Sequence, residues 1–186
     1  GRATISNGTV RFGTGAVATV SGRGDAIAVT GTAVLTAEGD GHALTISGTN
    51  NQATISNSTV TLTTSGSGTV TGDGNLVIET GSGQVTVLGS GNSLSVSGGS
   101  NYATLSDSVV SVAASGWLNF TGSGNQVSVA DAGQARTSTG NNRFQLGAGA
   151  TVWAQGGGQT VTASGSGNRV ELYGIGNQVT MDLGTV

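Results

Sequence analysis

The chain has 186 residues, of which 35 are Gly, and it contains no Pro and no Cys. Its six cationic residues are all Arg, and nine acidic residues bring the formal net charge to −3. Charge this sparse predicts no nucleic-acid partner, and the lack of Cys excludes a disulfide framework. No apolar run reaches the ~18 residues of a membrane-spanning helix, so we expect no membrane insertion.

The sequence repeats itself about every 50 residues. The pentapeptide ATISN at residues 3–7 recurs at 53–57 and, as ATLSD, at 103–107. A fixed internal period predicts stacked copies of one unit rather than a globule with a single pocket. We expect a single β-solenoid domain over residues 1–186. Its repeats are placed at approximately 3–52, 53–102 and 103–152, with a degenerate fourth repeat at 153–186.

Short segments of alternating apolar and polar residues recur along each repeat. Residues 44–47 (LTIS), 60–63 (VTLT) and 94–97 (LSVS) are examples, and this period of two predicts half-buried strands. Gly-X-Gly turns at 22–24, 72–74 and 122–124 separate many of them. No stretch of ten residues has a helical period, so we predict an all-β fold.

An Asn, or a residue that replaces it, marks many of the turns. This structural Asn column comprises Asn7, Asn57, Asn75, Asn92, Asn125 and Asn142, with Asp25, His42 and Asp107 as substitutes. Its successive gaps in sequence number, which are 18, 17 and then 15, place three coils in one period. We therefore predict a parallel β-solenoid with two strands per ~16–17-residue coil and about 11 coils. A three-sided β-helix with 25-residue coils is the alternative.

The inward positions of these strands predict a thin core made of two facing walls. One wall comprises Val10, Phe12, Ile27, Val29, Leu44, Ile46, Val60, Leu62, Leu76, Ile78, Leu94 and Val96. The other comprises Ile5, Val20, Ile55, Val70, Val85, Val87, Leu105, Leu118 and Phe120.

Few residues could carry out chemistry. His42 is the only histidine, and its place in the Asn column favours a turn residue over a catalytic one. Asp40 and Asp73 lie inside Gly-X-Gly turns, which also explains them structurally. Residues 23–25 match the tripeptide that integrins read, but we interpret them as another corner. The sequence predicts no catalytic residues, no enzyme and no cofactor.

Residues 165–170 (GSGNRV) and 174–179 (GIGNQV) resemble the repeats of the calcium-binding RTX β-rolls of secreted bacterial toxins and adhesins. The resemblance implies an adhesin-like, Gly/Asn-rich bacterial surface β-solenoid. RTX rolls bind calcium through an Asp after the Gly-Asn pair. The corresponding residues are Ala26, Ala43, Leu76, Ser93, Gln126, Arg169 and Gln178. We therefore predict that the chain binds no metal.

Two outward surfaces are candidates for binding. The first is a row of Thr residues, one per coil, comprising Thr4, Thr19, Thr36, Thr54, Thr71, Thr86 and Thr104. Thr stacks well in parallel ladders, but such ranks of Thr also resemble the ice-binding face of solenoid antifreeze proteins. The row is expected to continue as Asn119, Arg136, Trp153 and Glu171. There Trp153 and Tyr173 are candidate contact aromatics for a glycan.

The predicted function is that of a non-enzymatic, secreted structural β-solenoid, namely a bacterial adhesin, matrix or filament-type repeat protein. An ice-binding protein is the alternative. Residues 3–6 and 179–183 are strand-like and lie close to the ends, so the expected strand edges there carry no cap. We expect either an excerpt of a longer repeat protein or head-to-tail pairing of copies. The chain itself, a glycan and an ice surface are the predicted partners.

Overall fold

The computed structural model describes residues 1–63, 65–182 and 184–185, the last two through their backbone only. The described residues form strands and turns without a helix, and the prediction of an all-β parallel β-solenoid is confirmed. The chain divides into two compact units, Gly1–Ser93 and Leu94–Val186. The expected single domain stays a prediction.

In the first unit, the strands alternate between two parallel sheets. The odd sheet has the order β1 (Arg2–Thr4), β3 (Ala16–Ser21), β5 (Ala33–Glu38), β7 (Asn51–Thr54), β9 (Ser67–Thr71) and β11 (Gln84–Leu88). The even sheet has the order β2 (Thr9–Phe12), β4 (Ala26–Val29), β6 (Ala43–Ile46), β8 (Thr59–Leu62) and β10 (Leu76–Glu79). Each coil therefore contributes one strand to each sheet, and the three-sided alternative is wrong.

The second unit is built in the same way. Its even sheet has the order β12 (Ser93–Val96, which starts at the last residue of the first unit), β14 (Val109–Val112), β16 (Gln126–Val129), β18 (Arg143–Leu146), β20 (Thr160–Ala163) and β22 (Gln178–Met181). Its odd sheet has the order β13 (Asn101–Thr104), β15 (Trp117–Thr121), β17 (Gln134–Thr137), β19 (Thr151–Ala154), β21 (Asn168–Leu172) and β23 (Gly184–Thr185).

Strand registers determine the length of each coil. In the even sheet of the first unit, Val10 pairs with Ile27 and Ile27 pairs with Leu44, so the sequence number advances by 17 each time. Leu44 then pairs with Val60, an advance of 16. These three steps together make up one sequence period, and the prediction of about 11 coils of about 17 residues is confirmed. The predicted gaps of 18 and 15 do not occur in this sheet, where the steps are 17, 17 and 16.

Most of the predicted core lies in the interior of the two units. Val20, Val60, Leu62 and Val70 have no exposed surface in the first unit. In the second unit, Leu118 has none either. Side chains of this size each contribute roughly 1.5–3 kcal/mol on burial, so the two walls supply the main driving force for stacking. In the first coil, the predicted core residues Ile5, Val10 and Phe12 are only half-buried.

The core prediction is wrong in β10. Leu76 is 42% exposed and Ile78 also faces outward, whereas Val77 and Glu79 point into the core. The register explains the difference, because Val77 pairs with the core residue Val60 and Glu79 occupies the next inward position. The apolar run misled the prediction, since β10 carries apolar side chains on both faces.

Candidate functional site

A row of polar side chains points inward at one corner of each unit, and we call it the corner ladder. Its members are Asp25, His42, Ser58, Asn75 and Asn92 in the first unit and Ser108, Asn125, Asn142, Gln159 and Asn177 in the second. Ser108 begins the ladder of its unit, and each of the other side chains accepts a hydrogen bond from a backbone N–H one coil earlier.

Asn75 illustrates how the corner ladder joins three coils. Its Oδ1 accepts a hydrogen bond from the backbone N–H of Ser58 at 3.2 Å, and its Nδ2 donates to the Ile55 carbonyl at 2.8 Å. Its own backbone N–H donates to Oδ1 of Asn92 at 2.9 Å. Buried backbone N–H groups need such partners because desolvation without a hydrogen bond is costly. The ladder thus provides hydrogen-bond acceptors for the buried backbone N–H groups of the corner and couples successive coils.

The predicted Asn column mixes two neighbouring positions and needs correction. Asn7, Asn57 and Asp107 are exposed and have left-handed φ values of 54°, 47° and 50°. Other coils place Gly at this point, for example Gly74 with φ 67°. Gly, Asn and Asp adopt this conformation more readily than other residues. The residue that follows is the one that occupies the ladder position, as Ser58 does, and the uneven predicted gaps arose from this shift by one residue.

Asp25 and His42 occupy adjacent ladder positions, and both side chains are fully buried. His42 Nδ1 lies 3.4 Å from Asp25 Oδ2, while Asp25 Oδ1 accepts the backbone N–H of Gly8 at 3.0 Å. This placement supports the interpretation of His42 as a turn residue and of residues 23–25 as a corner. Within residues 1–63, 65–182 and 184–185, no three His, Cys, Asp or Glu side chains come close enough together to hold a metal ion.

Glu79 is an acidic residue in the hydrophobic core that the sequence reasoning missed. Its side chain is 2% exposed, and burial raises the pKa of its carboxyl to about 7. Gly83 makes room for it, because a Cβ at that position would collide with Glu79 Oε1. The repeat itself carried the signal, since Val29 and Val129 stand one period before and one period after Glu79.

The predicted Thr row is continuous over four coils of the first unit. Thr19, Thr36, Thr54 and Thr71 pair in register on the outward face of the odd sheet. From Thr36 to Thr54 the sequence number advances by 18 rather than by 17. In the next coil, Thr71 pairs with Leu88, so the row continues with Leu88. Thr86 lies two residues before Leu88 on the same strand and is therefore outside the row.

The other predicted members of the row lie in different columns. Thr4 pairs with Ser21, which places it beside the row rather than in it. Thr86 pairs with Thr69, in the column on the other side. In the second unit, Thr104 pairs with Thr121, and their hydroxyl oxygens lie 3.2 Å apart.

The outward face of the odd sheet in the second unit carries Tyr102, Trp117 and Trp153. One column runs through Tyr102, Asn119, Arg136, Trp153 and Glu171 in successive coils. The expected continuation of the Thr row therefore aligns with Tyr102 and not with Thr104. The Tyr102 ring meets the Trp117 ring edge-on, with their centroids 5.5 Å apart and an interplanar angle of 73°.

Trp117, Trp153 and Tyr173 surround a surface cavity, which we call the aromatic groove. Its volume is about 390 Å³, and its lining comprises Trp117, Arg136, Trp153, Gln155, Glu171 and Tyr173. Both predicted contact aromatics, Trp153 and Tyr173, thus face one cavity. The sequence pattern did not indicate that Trp117 joins them, because Trp117 stands more than two coils earlier in the chain.

Comparison with known proteins finds no matching protein-family model, no matching curated protein and no matching solved structure. No helix in the described part of the chain is both long and apolar enough to cross a bilayer. The features of the chain that bear on function are the corner ladder, the Thr row and the aromatic groove.

Proposed function

We propose that the chain is a non-enzymatic structural β-solenoid of the adhesin, matrix or filament type, secreted or displayed on a bacterial surface. The observation that supports this proposal is the corner ladder, in which side chains of one coil bind the backbone of the coil before it. A ladder of this kind uses its polar residues to hold coils together, which is the requirement of a structural repeat.

Further hydrogen bonds between coils strengthen the same design. The hydroxyls of Thr30, Thr63 and Thr80 follow even-sheet strands, and each donates to a backbone carbonyl of the preceding coil at 3.3 Å. The hydrogen bonds of both parallel sheets also run from coil to coil. Each coil is therefore attached to its neighbours at several points, so that a pull along the stack is shared among many bonds.

Single-molecule pulling of the full chain between two handles tests this role. We expect stepwise unfolding, in which the release of one coil of about 17 residues lengthens the chain by about 60 Å. Asn75→Ala removes one ladder connection and is expected to lower the unfolding force of the coils that it joins.

Asn7→Gly serves as the matched control, because Asn7 lies at the same corner but outside the ladder and in a conformation that suits Gly. Its unfolding forces are expected to match those of the unsubstituted chain. Extension of the unsubstituted chain at low force without resolved steps would contradict the structural proposal.

Ice binding is a second candidate, and the aligned Thr row of the first unit favours it. Thr19, Thr36, Thr54 and Thr71 repeat at the ~4.8 Å spacing of neighbouring strands. On one side of the row, Thr69 and Thr86 add a second short rank of Thr. A regular array of methyl and hydroxyl groups on a flat sheet is a surface that can order water.

Thermal hysteresis in a nanolitre osmometer tests the ice-binding candidate. If the Thr row binds ice, Thr54→Tyr abolishes hysteresis by breaking the flat array. Thr61→Tyr is the matched control, because Thr61 faces outward from the even sheet of the same unit. No hysteresis in the unsubstituted chain, or equal loss in both variants, would eliminate this role for the row.

A further inference from the structure

The aromatic groove of the second unit has the composition of a ligand site rather than of a structural wall. Its volume of about 390 Å³ lies within the ~300–1,000 Å³ typical of small-molecule sites. Three of its six lining residues are aromatic, and the other three are Arg136, Gln155 and Glu171, whose side chains form directional hydrogen bonds. The groove thus combines flat apolar faces with polar groups placed around them.

Strand register determines how these groups are spaced. Trp117 pairs with Gln134 and Gln134 pairs with Thr151, which lies two residues before Trp153 on the same face. The two Trp residues are therefore two coils apart along the stack and two residues apart across it. With strands ~4.8 Å apart and a rise of ~3.3 Å per residue, their Cα atoms are separated by about 12 Å.

A separation of this size exceeds the width of a single sugar ring, so the two indoles would contact different residues of one oligosaccharide. The Tyr102 ring, which lies outside the groove lining, packs edge-on against the Trp117 ring. Tyr173, which is 57% exposed, presents a third ring to the same cavity. Sugars have apolar C–H faces that stack on such rings and hydroxyls that bond to the surrounding polar groups.

The charges in the groove indicate the kind of sugar. Glu171 already forms an ion pair with Arg169, which lies outside the groove lining. Arg136 is exposed, and within the described residues it has no carboxylate at ion-pairing distance. A guanidinium in this state is suited to bind a carboxylate through paired hydrogen bonds.

We propose that the aromatic groove binds an acidic oligosaccharide, one that contains uronic acid residues. Trp117 and Trp153 stack on two of its sugar rings, Arg136 binds a uronate carboxylate, and Gln155 bonds to hydroxyls. This inference rests on the proposed adhesive role and deepens it by naming a ligand class. It concerns side chains that face solvent, so its failure leaves the coil-to-coil structure and the pulling experiment unaffected.

Intrinsic fluorescence tests the site directly, because the protein has two Trp residues and both line the groove. Titration of the full chain with oligogalacturonate is expected to change the emission and to give a saturable binding curve. Arg136→Gln is expected to raise the Kd at least tenfold, since it removes a charge-assisted contact. Trp153→Ala is expected to weaken binding by a similar factor through the loss of stacking.

Arg143→Gln is the matched control, since Arg143 is an exposed Arg on the even sheet of the same unit. Its Kd is expected to stay within twofold of that of the unsubstituted chain. A neutral oligosaccharide of equal length, such as cellotetraose, is expected to bind at least tenfold more weakly. An unchanged emission with oligogalacturonate, equal affinity for the neutral sugar, or equal weakening by Arg136→Gln and Arg143→Gln would each overturn the proposal.

Discussion

Replacement of the buried acid Glu79 by Gln is expected to stabilise the protein at alkaline pH. Glu79 occupies an inward position where the repeats on either side have Val29 and Val129. Burial raises the pKa of its carboxyl from an ordinary value of 4.5 to about 7. At ~1.36 kcal/mol per pKa unit, the ionised carboxylate costs the folded state about 3 kcal/mol.

The direction of the pH dependence follows from this raised pKa. Below pH 4.5, Glu79 is protonated in both the folded and the unfolded chain, and its charge costs nothing. Between pH 4.5 and about 7, the unfolded chain loses the proton first, so the stability from this group falls as the pH rises. Above about pH 7, this decrease in the stability of the folded chain is complete. The destabilisation by Glu79 is therefore expected near pH 8 and not at pH 4.5.

Urea unfolding followed by circular dichroism measures this effect at pH 4.5, 6, 7 and 8. Glu79→Gln keeps the shape of the side chain but cannot ionise. Its free energy of unfolding, relative to that of the unsubstituted chain, is expected to increase by about 3 kcal/mol between pH 4.5 and pH 8. Taking the difference between the two proteins cancels the titration of all other groups.

The reciprocal change at Val29, one period earlier, provides a control in the same unit. Val29→Glu is expected to become less stable than Val29→Gln as the pH rises, because only the former places an ionisable group in the core. A difference between Glu79→Gln and the unsubstituted chain that stays constant from pH 4.5 to pH 8 would refute the reasoning. In that case, Glu79 would keep an ordinary pKa in the folded protein.

Three further predictions concern the ladder, the core and calcium. Asn75→Ala leaves the buried backbone N–H of Ser58 without its acceptor, and urea unfolding should show a loss of about 1–3 kcal/mol. Asn7→Gly should change stability by less than about 0.5 kcal/mol, and equal effects of the two substitutions would contradict the corrected ladder. Phe144→Ala removes a fully buried ring whose centroid lies 6.1 Å from that of Phe120. The same assay should show that the free energy of unfolding falls by about 3–5 kcal/mol. A fall of less than about 1 kcal/mol would contradict this packing. Thermal melts in calcium and in excess chelator should superimpose, and a shift of many degrees would reveal a calcium site.

Much of the fold could be predicted from the sequence because the determining signals are local and recur. Alternation of apolar and polar residues marks each strand, and Gly-X-Gly marks many of the turns. Three coils per period then follow from the spacing of the turns. Most inward positions, such as Leu44 and Ile46, are likewise evident because apolar and polar side chains alternate there.

What the sequence pattern left undecided is the alignment of one coil on the next. That alignment depends on the length of both corners, and a difference of one residue moves a side chain to another column or to the other face of the sheet. For this reason Ser58 and not Asn57 belongs to the ladder. The core position of Glu79, by contrast, follows from the repeat, because Glu79 stands one period after the core residue Val29.

The candidate surfaces also combine features that the sequence predicted with features that only the tertiary structure revealed. The sequence by itself determined that this is a stack of two-stranded coils with a polar, sparsely charged exterior. Only the tertiary structure decided that Thr4 and Thr86 lie outside the Thr row, because pairing between coils places them beside Ser21 and Thr69. The same pairing brings Trp117, Trp153 and Tyr173 around one cavity, although they are far apart in the chain.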